Sequence, residues 1–244
     1  MTVLEALAVL LAGTVAGGVN AVVGSGSLIT FPTLVAVGFP PVTANVTNSV
    51  GLVPGGISGS FGYRRELRGQ WRRCAILGIG TTIGALIGGI LLLELPDAVF
   101  DAVVPILILL AVALMALRPA PKVHEGSSNM PAAVASSFGT GIYGGYFGAA
   151  QGIILVSLLR LSLAENLQVL NAIKNVLAGV ANAVAGILFI IVAHVAWGAA
   201  ALIAVGSFVG AHLGARYGRQ IPEELLRRIV IVYGVVVAAI LIVT

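Results

Sequence analysis

A short polar cluster interrupts a long apolar stretch in the second half of this chain. Asn171, Lys174 and Asn175 lie within an apolar run at about 169–192, and Lys174 is the only cation in that run. A charge at the centre of a bilayer costs roughly 2.5–3.5 kcal/mol on insertion scales, so such a residue usually faces a cavity or a partner. Because no carboxylate partner is evident at that depth, the cluster is typical of an anion site.

A matching cluster lies 126 residues earlier. It consists of Asn45, Asn48 and Ser49, and it has amide and hydroxyl groups but no cation. In each cluster two polar residues stand at i and i+3, which places them on one face of a helix. We therefore predict that the two clusters flank an anion-conducting site. The alternative is that they cap helices at the membrane interface, where a lysine near a helix end can snorkel to water.

Composition places most of the chain in lipid. Of the 244 residues, 59% are hydrophobic and only 9% are charged, where a soluble domain has about 25% charged residues. Several apolar runs reach the roughly 20 residues that a transmembrane helix needs. The net charge of +4 comes from short loops, which favours positive-inside topology over nucleic-acid binding. The single cysteine, Cys74, can form no internal disulfide.

The two halves of the chain match each other at a constant offset of 126 residues, with no gap needed from Gly13 to Pro96. The pairs include a tryptophan, Trp71 with Trp197, and a proline, Pro96 with Pro222. Chance explains shared glycines better than it explains a shared tryptophan and proline. The pattern indicates internal duplication.

Charge indicates how the halves are oriented. The first half has a basic loop from Arg64 to Arg73, while the equivalent loop of the second half, near His194, has neither lysine nor arginine. The next loop is acidic in the first half and basic in the second, at 216–228. The excess of lysine and arginine therefore lies in different loops of the two repeats, as it must if the repeats cross the membrane in opposite directions. Both termini are then expected outside.

Inversion requires an odd number of membrane passages in each repeat, so each needs one element beyond four plain helices. We expect a helix–break–helix hairpin at the start of each repeat, and its short second arm leaves open whether it crosses fully. The expected fold class is an all-α polytopic membrane protein with two inverted-topology repeats, each with a broken hairpin and three transmembrane helices. The first repeat is predicted over 1–117, with a hairpin at about 3–38 and helices at about 42–62, 74–93 and 99–117. A cytoplasmic linker at 118–130 precedes the second repeat at 131–244, with a hairpin at about 131–163 and helices at about 168–193, 198–215 and 226–243.

The hairpin breaks are the second candidate for chemistry. They fall at Gly24-Ser25-Gly26 and at 148–152, which contains Gln151 and Gly152. Unwound backbone is tolerated at membrane depth where it is buried in protein or lines a wet cavity. The helix that follows each break would direct free N–H groups and a positive dipole end at that point, which favours an anion. The alternative is that the glycines only permit close packing of helices.

These residues resemble a known family, the sulfite exporter TauE/SafE permeases. The resemblance is carried by Gly17, Gly18, Asn20, Gly24 and Gly26 followed by Phe31 and Pro32, by the Asn45–Ser49 cluster, and by Gly144 to Gly152 followed by Asn171, Lys174 and Asn175. It covers essentially the whole chain. The resemblance implies transport of sulfur-containing oxyanions such as sulfite or organosulfonates, usually outward and without an organic cofactor.

We therefore expect a secondary transporter in the bacterial inner membrane or an equivalent membrane, not an enzyme, with neither a metal nor a cofactor. Its expected partners are the lipid bilayer and a small sulfur-containing anion, with proton coupling and a homodimer left open and no nucleic acid. The predicted substrate-binding residues are Asn20, Gly24, Ser25, Gly26, Asn48, Ser49, Gln151, Gly152, Asn171, Lys174 and Asn175.

Two rival functions share features with this one. A passive anion channel needs the same donors and the same cation. A rhomboid-like intramembrane serine protease would use Ser58 as nucleophile and His212 as base. We disfavour the protease because both stretches are explained by the internal repeat.

Overall fold

A computed structural model describes residues 1–117 and 128–217, together with the single residue 232. Over these residues the chain is entirely helical, as the sequence predicts, with nine helices and no strands. The helices are α1 (Val3–Val22), α2 (Ser27–Ala36), α3 (Pro41–Gly62), α4 (Trp71–Glu94), α5 (Asp97–Leu117), α6 (Met130–Tyr146), α7 (Gln151–Ser162), α8 (Leu167–Val192) and α9 (Trp197–Tyr217). The helix expected at about 226–243 and most of the expected linker lie outside the described residues.

The helix ends have local causes. Thr2 accepts a hydrogen bond from the N–H of Glu5 while the Glu5 side chain accepts from Thr2, which is a capping box at the start of α1. Asn166 caps α8 through the N–H of Val169. Helices α1 and α6 each stop just before a glycine in the left-handed region, Gly24 at φ +91° and Gly148 at φ +75°, where a side chain would be strained.

Four of the described helices, α1, α4, α8 and α9, are long and apolar enough to cross a membrane. Helix α3 has 22 residues and so has the length to cross, about 33 Å at 1.5 Å per residue, but it carries the polar cluster of Asn45 to Ser49. Helices α2 and α7, with 10 and 12 residues, are too short to cross. These lengths agree with a multi-pass membrane protein.

Close glycine contacts give the direction of each long helix. Helices α1, α3 and α9 are parallel, because glycines further along α1 or α3 contact residues further along α9. A Cβ at Gly13 would lie 2.9 Å from Ile203 Cα, and one at Gly17 would lie 2.3 Å from Ser207 O. Helices α4 and α6 are parallel in the same way through Gly80, Gly84 and Gly88 of α4 against Val134, Phe138 and Ile142 of α6. In contrast, α3 and α8 are antiparallel, through the contacts of Gly56 with Gly179, Gly59 with Asn175 and Val50 with Gly186.

The short helices fold back beside the helices that precede them. The N–H of Asn129, at the start of α6, donates to the carbonyl oxygen of Ser162, at the end of α7, over 2.7 Å. The pair α6–α7 therefore begins and ends on the same side of the protein. At the start of α2, a Cβ at Gly26 would lie 2.5 Å from the carbonyl oxygen of Ala16 in α1. Each hairpin therefore folds back on itself, and its second arm, α2 or α7, is too short to cross a membrane alone.

The structure changes the offset at which the two hairpins align in sequence. The N–H groups of Val23 and Gly24 both donate to Val19 O, and those of Phe147 and Gly148 both donate to Tyr143 O. These matching helix ends are 124 residues apart, whereas α3 and α8 begin 126 apart at Pro41 and Leu167. The gap-free offset of 126 is therefore wrong for the hairpins, because α7 is two residues longer than α2.

Aromatic side chains pack around the second break. Phe31 of α2, Phe100 of α5 and Phe147 contact one another edge to face, with ring centroids 5.2–6.3 Å apart. Such contacts add about 0.5–1.5 kcal/mol per pair beyond burial of the rings. This cluster holds α2 and α5 against the end of α6, so it fixes one side of the site described next.

Candidate functional site

The two hairpin breaks meet each other. The N–H of Gly152 donates to the carbonyl oxygen of Gly24 over 3.0 Å. A Cβ added at either glycine would lie 2.6 Å from the Cα of the other, so only glycine permits this approach. The sequence named both residues, and the structure brings the two breaks together at the start of α7.

Lys174 lies directly beside this contact. Its side chain is fully buried, and its Cδ lies 3.1 Å from a Cβ position on Gly24 and 2.9 Å from one on Gly152. Its ammonium donates to the carbonyl oxygens of Asn20 over 2.8 Å and Ala21 over 3.2 Å. The sequence predicted no carboxylate partner for this cation. The structure instead gives it the free carbonyls at the C-terminal end of α1, which carry partial negative charge.

The neighbour of Lys174 supports the same helix end. Asn175 donates through Nδ2 to Ala21 O over 3.1 Å and is buried. Asn20, which the sequence named as a substrate ligand, contributes its backbone carbonyl to Lys174 and is half-buried. Asn171 is also half-buried, and no hydrogen bond of its side chain occurs among the described residues.

On the first repeat, Asn48 anchors the start of α2. Its Nδ2 donates to Ser27 Oγ over 3.2 Å, and its Oδ1 accepts from the Thr30 hydroxyl. All three side chains are buried. Thr30 is not among the residues that the sequence predicted for the site, although Ser27 and Thr30 stand at i and i+3 on one face of α2, a spacing that could have revealed it. Ser49 donates only to Asn45 O one turn earlier in its own helix.

Residues next to the breaks include an orphaned hydroxyl. Ser25 is 1% exposed, and its Oγ has no hydrogen-bond partner in the described part of the chain. Such a group costs about 1–3 kcal/mol unless a ligand or water completes it. Gln151 is also buried, but its Nε2 is committed to Thr140 O over 3.1 Å. Ala150, between the second break and α7, is held at φ +57°, a conformation that a non-glycine residue rarely adopts.

Backbone N–H groups at the first break and the start of α2 are free in the described residues. Among the described residues, the first N–H of α2 with a backbone acceptor belongs to Leu28, which donates to Ser25 O over 3.1 Å. The N–H groups of Ser25, Gly26 and Ser27 donate to no atom there. An N-terminal helix end with free N–H groups beside an ammonium is suited to a small anion. Gly26 itself packs against α1, so its role there is close approach of α2.

The residues of the rival protease are not arranged for catalysis. Ser58 is buried and donates through Oγ to the carbonyl oxygen of Phe208 over 2.8 Å. His212 is exposed on α9. No hydrogen bond joins these two side chains in the described residues, so His212 does not activate Ser58 in this arrangement.

Comparison with known proteins identifies the family. A family model described as sulfite exporter TauE/SafE matches residues 9–241. The chain belongs to the TauE/SafE family. This confirms the resemblance read from the glycine-rich breaks and the polar clusters. No solved structure matches the chain.

Curated relatives in this family are named as membrane transporters. A "Probable membrane transporter protein" of Haemophilus influenzae is 28% identical over 233 residues, which cover 93% of this chain and 90% of the relative. The "Probable membrane transporter protein YfcA" of Escherichia coli K12 is 28% identical over 238 residues, covering 92% and 84%. The "Probable membrane transporter protein ORF9" of a Sinorhizobium species is 24% identical over 242 residues, covering 93% and 88%. This TauE/SafE chain is therefore similar over nearly its full length to proteins named as transporters.

Proposed function

We propose that this protein is a secondary transporter that exports small sulfur-containing oxyanions, such as sulfite or organosulfonates, across the bacterial inner membrane. One observation carries the proposal. Two re-entrant hairpins touch at their tips through Gly24 and Gly152, beside a fully buried lysine. The family membership supports a transporter, and the breaks and the lysine supply its site.

Charge at this point favours an anion. When protonated, the ammonium of Lys174 carries one positive charge, and the α1 end that it caps carries roughly half a negative charge. Helices α2 and α7 both begin at the breaks, and each adds about half a positive charge. None of the carboxylates among the described residues is buried. The sum of these full and partial charges is positive. This positive charge would offset the free-energy cost of moving an oxyanion from water into the membrane at this point.

The substrate is proposed to lie against the N-terminal end of α2 and the hydroxyl of Ser25. Gly24, Gly26 and Gly152 allow the backbone to approach it, and Asn48, Ser49, Gln151, Asn171 and Asn175 shape or support the surrounding polar surface. Asn48 is hydrogen-bonded to Ser27 of α2, and Lys174 is hydrogen-bonded to Asn20 O of α1. These two residues would therefore hold the start of α2 and the end of α1 in position around the anion. Asn20 would act through its carbonyl, as the partner of Lys174.

We also propose that the two repeats have inverted topology. Helices α3 and α8 are equivalent in the repeat and are antiparallel. The contact of α1 with α9 is matched by that of α6 with α4, and α9 packs on α3 as α4 packs on α8. Re-entrant hairpins would add no net passage, and the three further helices that the sequence predicts for each repeat would then give an odd number. Alternating access would then arise from movement of one hairpin or repeat against the other.

The orientation in the membrane follows from the distribution of charge. The basic residues from Arg64 to Arg73 lie at the end where α8 begins, because Arg73 forms an ion pair of 2.6 Å with Glu165. Arg160 and Arg216, in the last turns of α7 and α9, also lie at that end. Glu94 and Asp97 lie at the opposite end, between α4 and α5. Under the positive-inside rule the basic end is cytoplasmic, which places the N-terminus outside.

The test is a substrate panel on purified protein in sealed vesicles. Sulfite, sulfate, thiosulfate and a small alkyl sulfonate are compared with and without a pH gradient, with protein-free vesicles as the control. We expect saturable flux of at least one sulfur oxyanion that responds to an imposed gradient. Flux of none of them would overturn the proposal. Rapid flux that does not saturate and ignores every gradient except that of the anion would support the channel instead.

A further inference from the structure

The C-terminal ends of the two broken helices have the same backbone geometry but different partners. At the end of α1, Val19 O accepts from two N–H groups, and the next two carbonyls, of Asn20 and Ala21, accept from the ammonium of Lys174. Ala21 O also accepts from Asn175 Nδ2 over 3.1 Å. A full positive charge thus neutralises this helix end inside the protein.

At the end of α6, no ammonium group of the described residues donates to a carbonyl oxygen, and the side-chain donor there is the Asn45 amide. Tyr143 O takes the place of Val19 O and accepts from Phe147 N over 2.9 Å and Gly148 N over 3.0 Å. The next two carbonyls, of Gly144 and Gly145, accept no hydrogen bond from the described residues. The residue equivalent to Lys174 in the first repeat is Asn48, which is neutral and is held by α2.

A second, independent feature of this helix end is an unpartnered side-chain oxygen. Asn45 is 1% exposed, and its Nδ2 donates over 2.8 Å to the carbonyl oxygen of Tyr146, the last residue of α6. That bond requires a donor, so it fixes which end of the amide is the oxygen. Asn45 Oδ1 is buried and has no partner in the described part of the chain. An orphaned acceptor costs about 1–3 kcal/mol, so a donor or a cation is expected at it.

We propose that a monovalent alkali cation binds at the C-terminal end of α6, against Asn45 Oδ1 and the free carbonyl oxygens of the last helical turn. The free groups on Asn45 and on the last turn of α6 are acceptors with negative partial charge, which favours a cation against them over an anion. A divalent ion would call for carboxylate ligands, and none of the described carboxylates is buried. Neutral oxygens at the end of a broken membrane helix are the ligands that transporters use for sodium. The cation would offset the partial negative charge at the end of α6, as the ammonium of Lys174 does at the end of α1.

This assignment gives the transporter one fixed and one exchangeable positive charge. It rests on the proposed function for its role, which is that the exchangeable cation moves with the anion and couples its transport. Asn45 lies in the second turn of α3, and Lys174 lies in the second turn of the antiparallel α8. The two charges therefore sit on opposite sides of the contact between Gly24 and Gly152.

Thermal unfolding of the purified full-length protein in detergent tests the site without any transport assay. The protein is held at constant pH and ionic strength while choline chloride is replaced by NaCl, KCl or LiCl, with no oxyanion present. We expect at least one alkali cation to raise Tm with a saturating concentration dependence, since a ligand that binds only the folded state stabilises it by mass action. The same Tm in all four salts would overturn the site.

A variant of Asn45 and a control variant in the same helix test whether Asn45 binds the cation. Asn45→Leu should abolish the cation-dependent rise in Tm, while Ser60→Ala, which removes only a bond to Gly56 O within α3, should retain it. If Asn45→Leu does not fold, Asn45→Asp serves, because the added charge should lower the cation concentration needed by about tenfold or more, equivalent to 1.4 kcal/mol. An unchanged cation response in the folded variant would place binding elsewhere and refute the proposal.

This experiment separates the two proposals. A protein that binds sodium but moves no sulfur oxyanion would refute the transport proposal and leave the cation site standing. A protein that moves sulfite equally in NaCl and choline chloride, with no cation effect on Tm, would refute the cation site alone.

Discussion

Gly152 donates its backbone N–H to the carbonyl oxygen of Gly24 over 3.0 Å, which joins two chain breaks 128 residues apart in sequence. This hydrogen bond connects the two halves at the point where α2 and α7 begin. It depends on the absence of two side chains. The chemistry proposed for the protein therefore depends on backbone geometry as much as on Lys174.

Gly152→Ala should damage both folding and transport. The new Cβ would lie 2.6 Å from Gly24 Cα and 2.9 Å from Lys174 Cδ, so the breaks must separate. Overpacking of this kind costs about 1–3 kcal/mol. The matched control is Gly78→Ala in α4, where no atom lies within 4 Å of the added Cβ, and this change should leave Tm unchanged or raise it. Equal behaviour of the two variants in thermal unfolding and sulfite flux would contradict the close contact.

Lys174→Ala should lower stability as well as transport. In the structure the ammonium satisfies Asn20 O and Ala21 O at a buried helix end. Removing one partner of such a group typically costs 1–3 kcal/mol or more. Lys174→Met, which keeps most of the volume, separates packing from charge. It should recover part of Tm but none of the flux in vesicles, and flux equal to that of the unchanged protein would remove Lys174 from the site.

Asn48→Ala should free the start of α2. The change removes the hydrogen bonds to Ser27 and Thr30 and leaves two buried hydroxyl groups short of a partner. We expect the free energy of unfolding to fall by about 1–3 kcal/mol and the rate of anion transport to fall clearly. Asn48→Asp would keep the acceptor for Thr30 but place a negative charge beside the anion site. It should therefore reduce anion affinity more than it reduces Tm, as measured by the substrate concentration that gives half-maximal flux.

The proposed topology predicts which ends react from outside. In a Cys74→Ser background, a cysteine at the exposed Leu4 should react with an impermeant thiol reagent in intact cells. A cysteine at the exposed Arg65 should react only after the cells are opened. The physical reason is that Arg64 to Arg73 form the basic end, which stays in the cytoplasm. The reverse pattern would refute the orientation, although the antiparallel packing of α3 and α8 would be unaffected.

The fold class was predictable because its causes are local. Apolar length, the capping residues and the glycines before each break are all readable in a short window of sequence. The polar cluster of Lys174 and Asn175 was predictable for the same reason, since a buried cation in an apolar run is conspicuous. The expected all-α class is confirmed in the described residues, and the family model confirms the resemblance.

The register of the hairpins was not predictable in this way. A single offset of 126 matches the glycines of α4 with those of α9, and these strong matches hid the two extra residues of α7. Only the paired bonds to Val19 O and Tyr143 O reveal the offset of 124. Register at a break depends on hydrogen-bond geometry, which residue identity does not encode where several glycines are adjacent.

The sequence by itself determined that this chain spans a membrane, where its helices break and which side chains are polar at depth. Only the tertiary structure decided what those side chains contact. The bond from Lys174 to Asn20 O joins residues 154 apart, and that from Asn45 to Tyr146 O joins residues 101 apart. Helix formation and hydrophobic length depend on neighbours in sequence. The partner of a buried charge depends on how distant helices pack, and that is fixed only when the two halves come together.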